Sequence, residues 1–224
     1  FLALATALFF CLDSWQIQIS HIIRFYQQMQ FFGMLATYFF ILGFIWQRGK
    51  RYQVAFFMSC LAGPLTPEVF VIVFPAYSIA FVLFYKKFDW KNDLHLVIGF
   101  ITTMLIIIID IYIFTVTCLT PHVSVATTSG SILQLHLSNI MGFSNTFLVG
   151  NNRANLLLTI VALIGFFFWI RKANKIIYLF YLMIVLTLIT ATVLIMQIAA
   201  RYLIVIYPYL IILCVLSLYY APAY

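Results

Sequence analysis

Charge is what this sequence has least of: 5 acidic and 12 basic residues in 224, or 8% charged. A soluble domain keeps roughly a quarter of its residues charged, so a water-facing globule is excluded. The 66% hydrophobic content instead places the chain in a bilayer. Solenoid repeats, low-complexity tracts and a separate soluble domain are missing too. The four cysteines, Cys11, Cys60, Cys118 and Cys214, lack metal-ligand spacing. They read as small buried hydrophobes, with a Cys11–Cys118 disulfide as the alternative. No residue set reads as a metal site. A net charge of +7 raises nucleic acid as a partner. The basic residues come in threes between apolar runs, however, which is how membrane proteins fix their orientation, so nucleic acid is set aside.

A spanning helix needs roughly 20 mostly apolar residues. Residues 31–47, 94–119, 154–170, 176–197 and 202–220 qualify. The chain opens at Phe1 inside an apolar run with no basic region before it, so 1–12 reads as the end of a truncated membrane helix rather than a signal peptide. The run 52–85 is broken by "GPLTPE", with Gly63 and Pro64 ending one helix. Thr66 as N-cap, Pro67 in the first turn and Glu68 beside the positive helix end start the next. Its first limb, 52–62, spans only about 16 Å, so it is short or re-entrant. The fold class expected is all-α: a polytopic transmembrane bundle of about 7–8 membrane segments, forming a single domain over 1–224.

Charge supports this threading. Arg48, Lys50 and Arg51 fall in one loop, Lys86, Lys87 and Lys91 in the next, and Arg171, Lys172 and Lys175 in a third. If 52–85 goes out and returns, all three loops share the cytoplasmic side, as the positive-inside rule expects. Only Arg24, Arg153 and Arg201 then lie elsewhere.

The non-cytoplasmic side thus collects Asp13, His21, Arg24, Glu68, His122, His136, Arg153 and Arg201, with Asp110 two thirds of the way toward it. "DSWQIQISHIIRFYQQMQ", residues 13–30, reads as an interfacial amphipathic helix whose stripe is Trp15, Ile19, Ile22, Tyr26 and Met29. Arg24 there meets bulk headgroups or holds the phosphate of one bound lipid. The outer loop 120–152 has no glycosylation sequon, no paired carboxylates and no glycine-rich phosphate cradle. His122 and His136 read as surface hydrogen-bonding groups. Asp110 is too costly to face lipid, so it bonds a neighbouring helix or lines a cavity. "RYLIVIYP" opens the last span. Arg201 and the free N–H groups there favour an anion, unless Arg201 and Tyr202 are simply an interfacial anchor. Tyr202 and Tyr209 share a helix face on the cavity side, and Pro208 is expected to kink the helix near Ile204.

The late "R-Y-x-x-x-x-x-P", here Arg201, Tyr202 and Pro208, resembles the polytopic GT-C glycosyltransferases, and most closely their protein mannosyltransferase and aminoarabinose-transferase-like branch. "SHIIRFYQQMQFFGMLATYFF" and the broken hairpin "LAGPLTPEVFVIVFPAYSIAFVLF" are similar in layout to that family's elements. The resemblance implies sugar transfer from a polyprenyl-phosphate donor on the outer side of a bacterial cytoplasmic membrane, or of an endoplasmic reticulum. Arg201, Tyr202 and Arg24 would hold the lipid phosphate. An acidic residue, acting as base or as ligand of a divalent cation (Mg²⁺ or Mn²⁺), is implied in a loop upstream of Phe1. Asp13 and Glu68 are weak stand-ins within the chain. Two other classes compete: a non-catalytic subunit that binds membrane lipids and scaffolds other membrane subunits, and a transporter or channel centred on Asp110.

Overall fold

The computed structural model describes residues 2–12, 24–63, 72–85, 88–114, 153–169, 174–194 and 205–220. Among these residues there is no strand. The helices are α1 (Leu2–Leu12), α2 (Arg24–Phe40), α3 (Lys50–Ala62), α4 (Phe74–Phe84), α5 (Leu94–Phe114), α6 (Arg153–Trp169), α7 (Lys175–Leu194) and α8 (Tyr207–Tyr220). Among the described residues, one helical stretch, Gln27–Ile45, is long and apolar enough to cross a membrane; Phe74–Phe84, Leu94–Ile109, Lys175–Ala191 and Tyr207–Tyr220 are shorter apolar stretches.

α2 passes directly into a π-helical segment, Ile41–Ile45. The Trp46 N–H reaches back to the Ile41 carbonyl at 2.8 Å, and the Arg48 N–H to Leu42 at 2.9 Å. The widening sits where α3 crosses closest. A Cβ on Gly43 would stand 3.0 Å from the Gln53 backbone nitrogen, and the Gln53 side-chain amide donates to the Gly43 carbonyl at 3.2 Å. Insertion of a side chain against the ladder is a recognised cause of such irregularity. The chain then reverses through Gly49, whose φ of 128° suits glycine alone.

Aromatic rings fill the interior between α2, α3, α4 and α5. Phe44 meets Phe56 edge-on at 5.4 Å and Phe81 at 5.4 Å; Phe57 meets Phe100 at 5.0 Å. Each such pair contributes about 0.5–1.5 kcal/mol beyond its burial. Packing leaves no room at Gly99, where an added Cβ would lie 2.6 Å from the Phe57 ring. Phe57 is held by Phe44, Phe56 and Phe100 and has nowhere to move. Gly99→Ala is therefore expected to destabilise the protein by about 1–3 kcal/mol through overpacking. An unchanged thermal midpoint of the detergent-solubilised protein would contradict this.

Paired contacts give the helix directions. Phe40 meets Tyr77 and Phe44 meets Phe81, so α2 and α4 are parallel. Gly33 faces Val205 and Thr37 bonds Tyr209, so α8 is parallel to them. Gly165 faces Ser217 and the backbone of Ala162 bonds the Cys214 thiol, adding α6 to the same set. α3 runs opposite to α2, since Gly43 meets Gln53 and Phe40 meets Phe56. α5 follows α3, through His95 with Gln53 and Gly99 with Phe57. The C-terminal ends of α2, α4, α6 and α8 thus define one end of the bundle. α3, α5 and α7 begin at that end, and the three basic triplets fall in or beside the α2–α3, α4–α5 and α6–α7 links in sequence, with Lys50 and Arg51 opening α3 and Lys175 opening α7. Arg24 and Arg153 begin α2 and α6 at the other end.

Several expectations change. The segment 24–30 is not an interfacial helix separate from a span at 31–47: it is the start of α2, and Met29 is fully buried while Gln30 is nearly so. Only 13–23 of the expected surface helix lies outside the described residues. Pro208 does not kink a helix interior. It sits in the first turn of α8, with Tyr209 and Leu210 N–H groups bonded to Ile206 at 3.0 and 3.2 Å. A proline is tolerated there because its missing N–H would have no partner. Cys60 and Cys214 are buried, as expected, whereas Cys11 is exposed; Cys118, its partner in the disulfide alternative, lies outside the described residues.

Candidate functional site

Two proline-started helices deliver tyrosines to one threonine of α2. Pro75 lies in the first turn of α4 and Pro208 in that of α8. Tyr77 and Tyr209 follow them closely, and both are completely buried. The Thr37 Oγ1 stands 2.7 Å from the Tyr209 hydroxyl and 2.8 Å from that of Tyr77. The Gly33 carbonyl accepts from Tyr77 at 2.8 Å and is 3.0 Å from Thr37 Oγ1. Each hydroxyl has one proton. Tyr209 donates to Thr37, Thr37 to Tyr77 or to Gly33, and Tyr77 to Gly33. The chain is satisfied, and it ties α2, α4 and α8 together at buried positions where an unmade bond would be costly. Phe180 of α7 stacks on Tyr209 at 5.8 Å. Tyr209, expected to line a cavity, is enclosed by these partners.

The basic end carries a second polar cluster. The Gln53 amide nitrogen is used on Gly43, so its oxygen accepts, and His95 donates from Nε2 at 2.7 Å. That fixes the Nε2–H of His95. Asp93, buried at the start of α5, accepts the Asp89 N–H at 2.9 Å. Asp89 in turn accepts from the Lys91 N–H at 3.1 Å and the Asn92 amide at 2.7 Å. Tyr85, just beyond α4, has its hydroxyl pushed above the ordinary tyrosine range, first by partial burial and then by the Asp93 carboxylate, while Gln53 acts in the opposite sense. This tight turn buries Asp93 and leaves Asp89 exposed.

Between α4 and α5 lies an open groove of about 650 Å³, lined by Ser78, Phe81 and Val82 and by one face of α5 from Leu96 to Ile108. Asp110 occupies α5 two residues beyond that face, on its way to the end opposite the basic links.

Of the residues expected to act, Arg24 is the first of α2, Asp110 belongs to α5 and Tyr209 to α8. Asp13, Glu68, Arg201 and Tyr202 lie outside the described residues, as do His21, His122 and His136. Among the described residues no three of His, Cys, Asp and Glu converge as a metal group. Sequence reasoning missed Thr37, Tyr77, Gln53 and the bonding of His95. One signal for Thr37 was present in "GMLAT", a small-xxx-small pattern that lets helices approach closely. No family model, curated protein or solved structure matches the chain.

Proposed function

We propose that this chain is a polytopic integral membrane protein of a bacterial cytoplasmic membrane, glycosyltransferase-like, that takes a sugar from a polyprenyl-phosphate donor on the non-cytoplasmic side. The observation that carries the reading is the parallel register of α2 and α8. Gly33 against Val205 and Thr37 against Tyr209 advance together. Arg24 precedes Gly33 by nine helical residues, about 13 Å of rise. Arg201 precedes Val205 by four residues, at most about 14 Å of extended chain. Arg24 begins α2 at the end away from the basic links, and in this reading Arg201, four residues before Val205 in sequence, joins it there to hold one phosphate.

The exterior supports the membrane. α5 exposes Ile98, Ile101, Leu105, Ile108 and Ile109 together, and α6 exposes Leu163, Ile164 and Phe167. A contiguous apolar surface of this kind suits acyl chains, not water. Arg48, Lys50, Arg51, Lys91 and Lys175 fall at one end, and a basic bias of this kind is the orientation signal expected of a multi-pass protein.

In the proposed transfer the bond between the anomeric carbon and the lipid-phosphate oxygen breaks as an acceptor oxygen bonds to that carbon. The acceptor's proton goes to an acidic base, and the phosphate keeps the bonding pair. Arg201 and Arg24 stabilise that developing charge, with helix N-termini pointing the same way. A divalent cation would share this role. The test is incubation of the reconstituted full-length protein with radiolabelled polyprenyl-phosphate sugars and membrane acceptors. Label moving to an acceptor supports the reading; protein that copurifies in fixed ratio with other subunits and transfers nothing replaces it with a lipid-binding scaffold. The aromatic, internally satisfied core around Thr37 and Phe44 suits that second reading equally.

A further inference from the structure

We infer that the groove between α4 and α5 holds one acyl chain of an anionic glycerophospholipid, with its phosphate at the basic end of the bundle. This inference rests on the multi-pass reading but concerns the opposite end from the proposed sugar donor.

Shape comes first. The α5 residues lining the groove are Leu96, Val97, Phe100, Ile101, Met104, Leu105 and Ile108, a single face that repeats every three to four residues. From Leu96 to Ile108 the helix rises about 18 Å. One leaflet of a bilayer hydrocarbon core is about 15 Å deep. The groove is thus one leaflet long and ends at the level of the α4–α5 link.

Chemistry comes next. Among the described residues of the lining Ser78 carries the only hydroxyl, and it donates its proton to the Phe74 carbonyl at 3.1 Å. The described lining therefore offers no free hydrogen-bond donor and suits a plain hydrocarbon. At its basic-end mouth Phe88 lines the wall, and Trp90 packs edge-on against it at 5.2 Å. Trp90 is 70% exposed, the placement of an interfacial aromatic.

Charge then selects the headgroup. The link carries Lys86, Lys87 and Lys91, and Lys91 is exposed. Of its two acids, Asp93 is buried and Asp89 is exposed with both oxygens accepting bonds within the turn, so the three lysines of the link outnumber one exposed carboxylate. Lysines beside a hydrocarbon slot complement a phosphate more than a zwitterionic headgroup.

Trp90 itself is the reporter. In the full-length protein every other tryptophan is replaced by phenylalanine, and the protein is placed in bilayers containing chain-brominated phosphatidylglycerol or chain-brominated phosphatidylcholine. Bromine quenches tryptophan on contact. The expected result is saturation of quenching at a several-fold lower mole fraction of phosphatidylglycerol. Lys91→Gln should reduce that preference about fivefold. Val82→Phe, which fills the groove from an exposed position, should reduce quenching by both lipids. Equal quenching by the two lipids, unaffected by either variant, overturns the lipid site while leaving the multi-pass reading intact. Quenching by neither lipid, in protein that an alkaline wash strips from membranes, overturns both. Quenching by neither in protein that resists the wash means that a second copy or another subunit covers the groove, which also overturns the lipid site.

Discussion

Arg201→Ala is expected to lower transfer from a polyprenyl-phosphate donor by a factor of about 10²–10³, the usual cost of removing one donor from a site where negative charge develops. Arg201 stands four residues before Val205, and Val205 packs on Gly33 of the helix that Arg24 begins. A guanidinium there presents a planar fork to phosphate oxygens, which lysine cannot copy. Arg201→Lys should accordingly recover only part of the loss. The loss should appear in kcat more than in KM, because the charge being stabilised grows as the phosphate departs. Folding is checked by the thermal midpoint of the purified variant, which should not move. Transfer at the wild-type rate by a folded Arg201→Ala protein would contradict the phosphate clamp.

Tyr209→Ala is expected to be the most damaging single change to stability, at about 3–5 kcal/mol. A fully buried ring is lost from between Thr37 and Phe180, leaving a cavity that the surrounding helices cannot close. Tyr209→Phe separates the ring from its hydroxyl. Tyr209 is the terminal donor of the hydroxyl chain, so its removal leaves the Thr37 and Tyr77 protons still placed on acceptors. A loss of only about 1 kcal/mol is expected, and less if hydrogen bonds in this bundle follow the weak average of membrane helices. Equilibrium unfolding of the two variants in the same detergent measures both. Equal losses for Phe and Ala would mean that the hydroxyl, not the ring, holds α8 in place.

Much of the helical plan was legible because apolar length and Pro/Gly punctuation act locally. "GPLTPE" falls between α3 and α4, although α4 begins at Phe74 with Pro75 in its first turn and not at 66–68, and the basic triplets mark where α2, α4 and α6 end. What failed depended on distant partners. Met29 was read as part of a surface stripe because its spacing fits one, yet it is buried in the bundle core. Pro208 looked like an interior kink because the apolar run continues on both sides of it; the first hydrogen bonds of α8 make it a start. The candidate site was less legible still. Thr37 meets Tyr77 and Tyr209 across 40 and 172 residues of chain, and Gln53 meets His95 across 42. No local pattern encodes such pairs. Arg24 was legible as a charge opening an apolar helix, and it is the first residue of α2; Arg201 lies outside the described residues.

The central claim is that the bundle has two ends on opposite sides of a membrane, with the basic links inside and Arg24 and Arg201 outside. Sided thiol labelling tests it most directly. In protein with its native cysteines replaced, single cysteines are placed at Arg48, Lys91 and Asn174 on one end, and at Ser124 and Ser129 in the long loop. A membrane-impermeant maleimide added to intact cells should label only the two serine positions, and should label the other three only after the membrane is opened. Labelling of Lys91→Cys and Ser129→Cys from the same side would contradict the account.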